Sequence, residues 1–265
     1  MMLIELIGPA GIGKTTTAKG AEAILREKGV DVLGFDELER LESEIGTRSV
    51  RRYGRWGRAW FVISMLCRRP DITLPVLLLP HIYGAEVSTG SRGRRRRRAR
   101  RVLGHVRLAL SLRHMPSDRV ALLDEGFTQV LWTLLIDSRS LRASWLVRFV
   151  LKRYHAAVGQ AGVCFDADDT TIERRAFARE ANSRFSRDST EEQRRAFGRW
   201  LDFHRQLVDL VPPALTRNRI AMAGSRDSAT AELVKAVEAI LRGDGRKNRK
   251  EPETNLLTST PEASG

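Results

Sequence analysis

The feature that most constrains this chain is the segment Gly8-Pro9-Ala10-Gly11-Ile12-Gly13-Lys14-Thr15, which fits the pattern G-x-x-x-x-G-K-[ST]. The apolar run from Met2 to Ile7 predicts a buried strand before it. The spacing of apolar residues from Thr16 to Lys28 predicts a helix after it, with Gly29 as the stop. Backbone N–H groups of a glycine-rich loop at a helix start bind phosphate, because the helix end adds a partial positive charge. The sequence therefore predicts a phosphate-binding loop between a strand and a helix.

The residues of this loop predict two cofactors, ATP and Mg²⁺. We expect the Lys14 ammonium to contact the β- and γ-phosphates and the Thr15 hydroxyl to bind Mg²⁺. The backbone of the loop would contact ATP through these residues: Gly8, Pro9, Ala10, Gly11, Ile12 and Gly13, together with Lys14 and Thr15.

Length and composition favour one sizeable core, or one core with an inserted subdomain, because the chain has 265 residues of which 42% are hydrophobic. Its two cysteines lie far apart in sequence, which argues against a disulfide framework or a zinc site and favours a reducing cytoplasm. The chain opens directly into the first strand, so we expect no signal peptide. The longest apolar runs, Ala59–Cys67 and Ile72–Leu79, are too short to span a bilayer. A cytoplasmic protein without a transmembrane segment is expected.

The charge of the chain is strongly positive, at +14, and eight of its arginines lie between Arg92 and Arg101. A basic surface suits nucleic acid, anionic lipid or polyphosphorylated substrates, and it also describes a solvated loop. A nucleic-acid partner bound through Arg92–Arg101 is therefore one hypothesis. The oligomeric state stays open, a homodimer included.

The pattern along the chain is an alternation of strands and helices. Four further strands are expected over residues 30–35, 119–124, 161–166 and 219–223, which predicts an α/β fold with a parallel sheet covered by helices on both faces. Residues 45–115 predict a helical insertion, in which Pro75 and Pro80 break an apolar stretch. A helix over Leu141–Ala157 is expected to turn Trp145 and Phe149 inward. The composition of residues 242–265 predicts a disordered tail.

Carboxylates follow several of these strands, at the edge of the sheet where ligands bind. Asp124 ends an apolar strand, the place where P-loop proteins hold the water shell of Mg²⁺, so we expect it to bind the metal with Thr15. Glu125 either orients the phosphoryl acceptor, helps to bind Mg²⁺ or simply starts a helix. Two more carboxylates, Asp36 and Glu37, follow the second strand and are either an acceptor base or part of a turn.

Four segments resemble the P-loop nucleoside and nucleotide kinase group, and thymidylate-kinase-like proteins most of all. They are Ile4–Thr16, Leu122–Gly126, Phe165–Asp169 followed by Arg175 and Arg179, and Ala221–Ser225. The resemblance implies a P-loop kinase domain over residues 1–241 with a five-stranded parallel sheet of order 2-3-1-4-5. It also implies a lid over residues 167–190 and ATP contacts from Thr16 and Ser225.

The activity implied by this resemblance is Mg²⁺-dependent transfer of the γ-phosphoryl group of ATP to a nucleoside, a nucleotide or another small-molecule acceptor. Lys14 and Asp124 would be catalytic, as would Arg175 and Arg179 on a lid helix from Thr170 to Glu180; the alternative for these arginines is a solvated basic face. Which of Asp36, Glu37 or Glu125 activates the acceptor stays open, because residues 45–115 match no known pattern. Two other functions remain: a nucleotide-binding ATPase or regulator, and a polynucleotide kinase that binds nucleic acid through its arginines.

Overall fold

A computed structural model describes residues 1–9, 11–38, 40–41, 44, 57–82, 92–115, 118–135, 144–178, 190–222 and 225–247 of the chain. Five strands in these residues form one parallel sheet of order β2-β3-β1-β4-β5. The parallel sheet and its strand order are therefore confirmed. The strands are β1 (Met2–Ile7), β2 (Val32–Leu33), β3 (Val120–Leu123), β4 (Ala161–Asp166) and β5 (Asn218–Ala221).

Helices connect the strands and cover the sheet. The chain passes through α1 (Lys14–Glu27), α2 (Gly57–Arg68), α3 (Pro70–Ile82), α4 (Arg92–Arg113), α5 (Phe127–Leu135), α6 (Ser144–Val158), α7 (Asp169–Phe177), α8 (Glu191–Val208) and α9 (Arg226–Lys247), with a 3₁₀ turn at Pro213–Leu215. Over the described part of the chain, no helix is both long enough and apolar enough to cross a membrane.

The two faces of the sheet bury separate sets of apolar side chains, because successive residues of a strand point to opposite faces. Leu3 and Ile7 of β1 pack in a core that includes residues of α3 to α6, whereas Ile4 and Leu6 pack in a second core with α1 and α9. Helix α8 contributes to both cores. The P-loop strand β1 thus lies at the centre of the sheet with both faces covered.

The described part of residues 45–115 is helical: α2, α3 and α4 pack on one another, and α3 and α4 also pack on α6. That this segment is an insertion on the acceptor side stays a prediction. The expectation that Pro75 and Pro80 break the apolar stretch is wrong, since both lie inside α3. A proline in a helix removes one backbone hydrogen bond. The burial of Ile72, Val76 and Leu79 along one face of α3 offsets that loss.

Three other expectations about secondary structure are corrected by the structure. Helix α9 continues to Lys247, so the first residues of the expected tail are helical; residues 248–265 lie outside the described part. Trp145 and Phe149 do not point inward: they are 68% and 37% exposed, because α6 buries Leu146, Val150 and their neighbours instead. Strand β2 is shorter than predicted, and residues 35–38 are already helical.

Candidate phosphate-binding site

The loop between β1 and α1 has the backbone conformation that its glycines predict. Gly11 and Gly13 have φ values of 94° and 106°, in the left-handed region that side chains disfavour. Space is also limiting, because a Cβ atom at Gly11 would lie 3.2 Å from Ala176 and one at Gly13 would lie 3.2 Å from Met222. Gly13 is the N-cap residue of α1. The loop therefore leads into α1 with its backbone closely covered by α7 and by the end of β5.

Lys14 lies within this loop and is only 7% exposed. Its Nζ atom donates hydrogen bonds to the backbone oxygens of Gly8, at 2.6 Å, and Pro9, at 3.1 Å. A buried ammonium group must be hydrogen-bonded, and the loop carbonyls supply these bonds. Lys14 and the first residues of the loop thus form one hydrogen-bonded unit at the start of α1.

The two residues expected to bind Mg²⁺ lie together. The Thr15 hydroxyl donates a hydrogen bond to Oδ2 of Asp124. They meet because β3 pairs with β1, so that Asp124, directly after β3, lies beside the first turn of α1. A hydroxyl oxygen next to a carboxylate is a donor set that suits Mg²⁺, which needs only one or two carboxylates besides phosphate and water. The residues present therefore fit the ion.

A metal ion can also be held by a larger cluster of side chains. In the described ranges, no group of three or more His, Cys, Asp and Glu side chains is arranged to hold a metal. The Thr15–Asp124 pair is thus the metal-site candidate that the described residues support.

Glu125 faces away from β1 toward the helical insertion. Its Oε2 atom accepts a hydrogen bond from the guanidinium group of Arg101 in α4. Both side chains are more than half exposed, so this ion pair contributes at most about 1 kcal/mol to stability. The pair shows that α4 passes close to the residue that follows Asp124.

Glu37 and Asp36 are placed differently from Asp124, which lies beside the start of α1. Glu37 accepts hydrogen bonds from the Gly34 backbone N–H, at 3.1 Å, and from Arg119, at 3.3 Å. Arg119 precedes β3, at the opposite end of that strand from Asp124. Asp36 is exposed on the same helical turn. Strand β2 ends early and the chain turns into a helix, so these contacts of Glu37 agree with the turn alternative. Its role as an acceptor base stays a prediction.

Helix α7 lies where the sequence predicts the lid helix. Asp168 caps it by accepting a hydrogen bond from the Thr171 N–H at 2.8 Å. Arg175 of this helix is half-buried. Its guanidinium group donates hydrogen bonds to the backbone oxygens of Ile12, at 2.9 Å, and Met222, at 3.1 Å. Arg175 therefore connects the P-loop to the end of β5, a role that neither the lid prediction nor the solvated-face alternative includes.

Two more of the predicted ATP contacts, Thr16 and Ser225, lie in the described part of the chain. Thr16 is exposed in the first turn of α1, and the Ser225 hydroxyl accepts a hydrogen bond from the Ser228 N–H at 3.2 Å at the start of α9. Ala10 and Arg179 lie outside the described residues, as do the side chains of residues 92–96. The roles of Ala10 and Arg179, and nucleic-acid binding by Arg92–Arg101, stay predictions.

A buried carboxyl group beneath the loop was missed by the sequence analysis. Glu5 of β1 is 1% exposed, and it accepts hydrogen bonds from the Thr128 N–H, at 2.6 Å, and from Nε2 of Gln160. Burial raises the pKa of Glu5 to about 7, although these hydrogen bonds favour the charged form. A Cβ atom on Gly126 would lie 2.1 Å from Cγ of Glu5. The signal in the sequence was a single acidic residue inside an otherwise apolar strand.

The network continues from Gln160 into the core. Gln160 accepts a hydrogen bond from the Tyr154 hydroxyl at 3.2 Å, and its Nε2 atom lies 3.0 Å from Nδ1 of His155. Three buried histidines, His105, His155 and His204, have pKa values lowered by burial to about 4, 3 and 3. His155 and His204 are both less than 10% exposed and pack inside the protein.

A cavity of about 280 Å³ lies beside the P-loop, between the end of β4 and α8. Its lining includes Pro9 and Ile12 of the loop segment together with Phe165, Leu201 and His204. Arg205 and Arg219 stand at its wall, each paired with a carboxylate, so the cavity combines apolar and charged surfaces. A molecule bound there would contact the loop from the side opposite to β3.

Comparison with known proteins gives no family for this chain. No protein-family model matches the sequence, and a search of curated proteins finds none that is similar to it. The kinase resemblance, the ATP and Mg²⁺ assignments and the acceptor therefore stay predictions that rest on the residues themselves.

Proposed function

We propose that this protein is an ATP-dependent, Mg²⁺-requiring phosphotransferase. The observation that carries the proposal is the contact between the Thr15 hydroxyl and the Asp124 carboxylate at the first turn of α1, directly after a loop with left-handed Gly11 and Gly13. This combination supports the proposal, because backbone N–H groups at a helix start suit phosphate and a neighbouring pair of oxygen donors suits Mg²⁺. Few other chemistries need both at one helix start.

Each residue of the site has a definite task in this proposal. The loop N–H groups and the start of α1 bind the phosphates, and Lys14 moves from the Gly8 and Pro9 oxygens to the β- and γ-phosphate oxygens. Thr15 and Asp124 would hold Mg²⁺, which when bound neutralises charge on the phosphates. The residues supply positioning and electrostatic stabilisation, and no covalent enzyme intermediate is required.

The acceptor is proposed to bind on the side of α2, α3 and α4, next to the end of β3. The Arg101–Glu125 ion pair supports this placement, because it joins α4 to the residue that follows Asp124. All three candidate bases are carboxylates, and Glu125 is the one adjacent to the proposed metal ligand. Glu37 instead contacts Arg119, which precedes β3 at the end away from Asp124. The acceptor class is a nucleoside, a nucleotide or another small molecule with a hydroxyl or phosphate group.

A second candidate is a nucleotide-binding ATPase without a phosphoryl acceptor. The hydrogen bonds of Arg175 favour it, because this arginine is bound to two backbone oxygens rather than directed at a transferring phosphoryl group. The two functions differ in one measurable property. A kinase releases ADP faster when its acceptor is present, and an ATPase transfers the phosphoryl group to water alone.

The experiment is to measure ADP release by the full chain with ATP and Mg²⁺, alone and with a panel of nucleosides, nucleoside monophosphates, sugars and antibiotics. Lys14→Ala should abolish turnover and leave the fold intact. Lys19→Ala is the matched control, since this lysine is exposed on the same helix. Full activity of Lys14→Ala would refute the P-loop assignment. Turnover that no acceptor stimulates would favour the ATPase.

A further inference from the structure

Large apolar side chains are exposed on only one group of helices among the described residues. All seven lie on α2, α3 and α6, and their exposed fractions run from 37% to 68%. Helix α3 packs directly on both α2 and α6, so the three helices are neighbours. Single exposed apolar residues are common, but a group of them on adjacent helices is typical of an interaction surface. The seven are Trp60, Ile63, Leu74, Leu78, Ile82, Trp145 and Phe149.

Helix α3 shows most clearly that this exposure follows a pattern. Leu74, Leu78 and Ile82 are each four residues apart, which places them on one side of the helix. The opposite side buries Ile72, Val76 and Leu79 in the core. One apolar side therefore stabilises the fold, and a second apolar side of similar length faces outward.

The helices around α3 are strongly basic, although α3 itself contains no lysine or arginine. Helix α4, which packs on α2, α3 and α6, contains ten arginines and no acidic residue, and α2 and α6 contain no acidic residue either. The one carboxylate in α3, Asp71, is paired with Arg69 at 2.7 Å. On α6, the exposed Arg148 and Lys152 accompany the exposed aromatic residues, and the guanidinium group of Arg153 lies 5.3 Å from the ring of Phe149.

The arginines at the start of α4 destabilise the helix in isolation. Positive charge at a helix N-terminus opposes the helix dipole, and arginines three or four residues apart repel each other, although Arg101 is itself paired with Glu125. A surface of negative charge relieves both effects. The charge pattern thus favours a polyanionic partner, and the exposed Leu and Ile residues favour one that also accepts apolar side chains.

We propose that α2, α3, α4 and α6, here called the basic helical face, bind the surface of an anionic lipid bilayer. Apolar side chains would enter the boundary between headgroups and acyl chains, while arginine and lysine side chains contact the headgroups. A second copy of the chain is disfavoured, because it would bring two arginine runs together. A nucleic acid would leave Leu74, Leu78 and Ile82 without an apolar partner. This proposal does not depend on the proposed function.

The test is flotation of the full chain with vesicles of phosphatidylcholine alone or with added phosphatidylserine, at physiological salt. We expect binding to the anionic vesicles, weak binding to the neutral ones, and a decrease with rising salt. Fluorescence quenching by brominated lipid should fall when Trp145 is changed to Phe, because Trp145 is the most exposed of these residues.

Matched variants separate the two components of binding. The triple variant Leu74→Gln, Leu78→Gln, Ile82→Gln keeps the charge and should lower the partition coefficient roughly tenfold or more. Arg148→Gln with Lys152→Gln should lower it by a similar factor and weaken the salt dependence. The control is Arg226→Gln with Lys235→Gln, which removes the same charge from α9 and should change binding little.

Several results would overturn the proposal. One is equal binding to neutral and anionic vesicles, or no binding at all. Another is tight binding of an RNA or DNA oligonucleotide that competes with the vesicles and is unaffected by the α3 triple variant. A third is a dimer in solution, measured by light scattering, that the α3 triple variant dissociates. Equal loss of vesicle binding in the α9 control would also refute it.

Discussion

Oε1 of Glu5 accepts a hydrogen bond from the backbone N–H of Thr128 at 2.6 Å. This contact joins the strand that carries the P-loop to the first turn of α5, four residues after Asp124. The carboxyl group is fully buried, and its pKa is raised to about 7 by that burial. A single buried group thus connects the two segments that form the candidate phosphate site, and its protonation state changes near neutral pH.

Glu5→Gln should remove part of the pH dependence of stability. The native carboxyl group titrates near pH 7, above its ordinary pKa of 4.5, so it holds a proton that the unfolded chain has lost. The wild-type chain therefore loses about 3 kcal/mol from this group as the pH rises from 4.5 to 8. The free energy of unfolding of Glu5→Gln, relative to wild type, should rise by about that amount. Urea unfolding of both proteins at several pH values in this range measures the change. If the difference in unfolding free energy between variant and wild type does not vary with pH, the pKa of Glu5 is not raised by burial.

His105→Leu tests a pKa shift in the opposite direction to that of Glu5. Burial lowers the pKa of His105 to about 4, so the native state binds fewer protons than the unfolded chain, and stability is lost as the pH falls below about 6.5. Removing the imidazole should make the variant gain about 2 kcal/mol relative to wild type between pH 8 and pH 5. His114→Leu is the control, because His114 is exposed. If the two variants show the same pH profile by urea unfolding, the prediction fails.

Arg175→Ala should weaken ATP binding as well as turnover. The lost guanidinium group leaves the Ile12 and Met222 oxygens without its charge-assisted hydrogen bonds, and the P-loop loses its connection to the end of β5. We expect the Kd of ATP to rise roughly tenfold and the unfolding free energy to fall by about 1–3 kcal/mol. Calorimetric titration and thermal unfolding measure both, with the exposed Arg174→Ala as control.

Arg179→Ala should behave differently, because its predicted role is at the transferring phosphoryl group. Its kcat should fall roughly 10²–10³-fold with little change in the Kd of ATP. Wild-type kcat in this variant, with a competent acceptor, would show that Arg179 is surface charge.

Gly126→Ala should be among the more damaging substitutions in this chain. A Cβ atom there would lie 2.1 Å from Cγ and 2.3 Å from Cδ of Glu5, which is buried and has no room to move. A loss of roughly 2–3 kcal/mol of stability is expected, with reduced ATP turnover because the loop carries Asp124. Gly198→Ala is the control. Nothing lies within 4 Å of a Cβ atom at this helical position, so the variant should be more stable than wild type by about 0.5–1 kcal/mol.

Local patterns were sufficient to predict the parallel sheet, the glycine turn between β1 and α1 and the meeting of Thr15 with Asp124. Each depends on short-range spacing, and strand pairing then brings the ends of β1 and β3 together. The partners of Glu5, Arg175 and Glu37 were not predictable, because Thr128 is 123 residues from Glu5 and Ile12 is 163 residues from Arg175. The prediction that Pro75 breaks the apolar stretch failed for a related reason, because burial of α3 in the folded protein outweighs the local preference of proline.

The short outer strands also affect how this protein behaves at high concentration. Strand β2, at one edge of the sheet, contains only Val32 and Leu33, and β5, at the other edge, carries Arg219 next to Asp166. A second chain needs a long row of unpaired peptide groups to add a strand to a sheet. Both edges are therefore poor templates for growth into fibrils. Any precipitate that forms during concentration should keep its helical circular-dichroism spectrum and bind no amyloid dye.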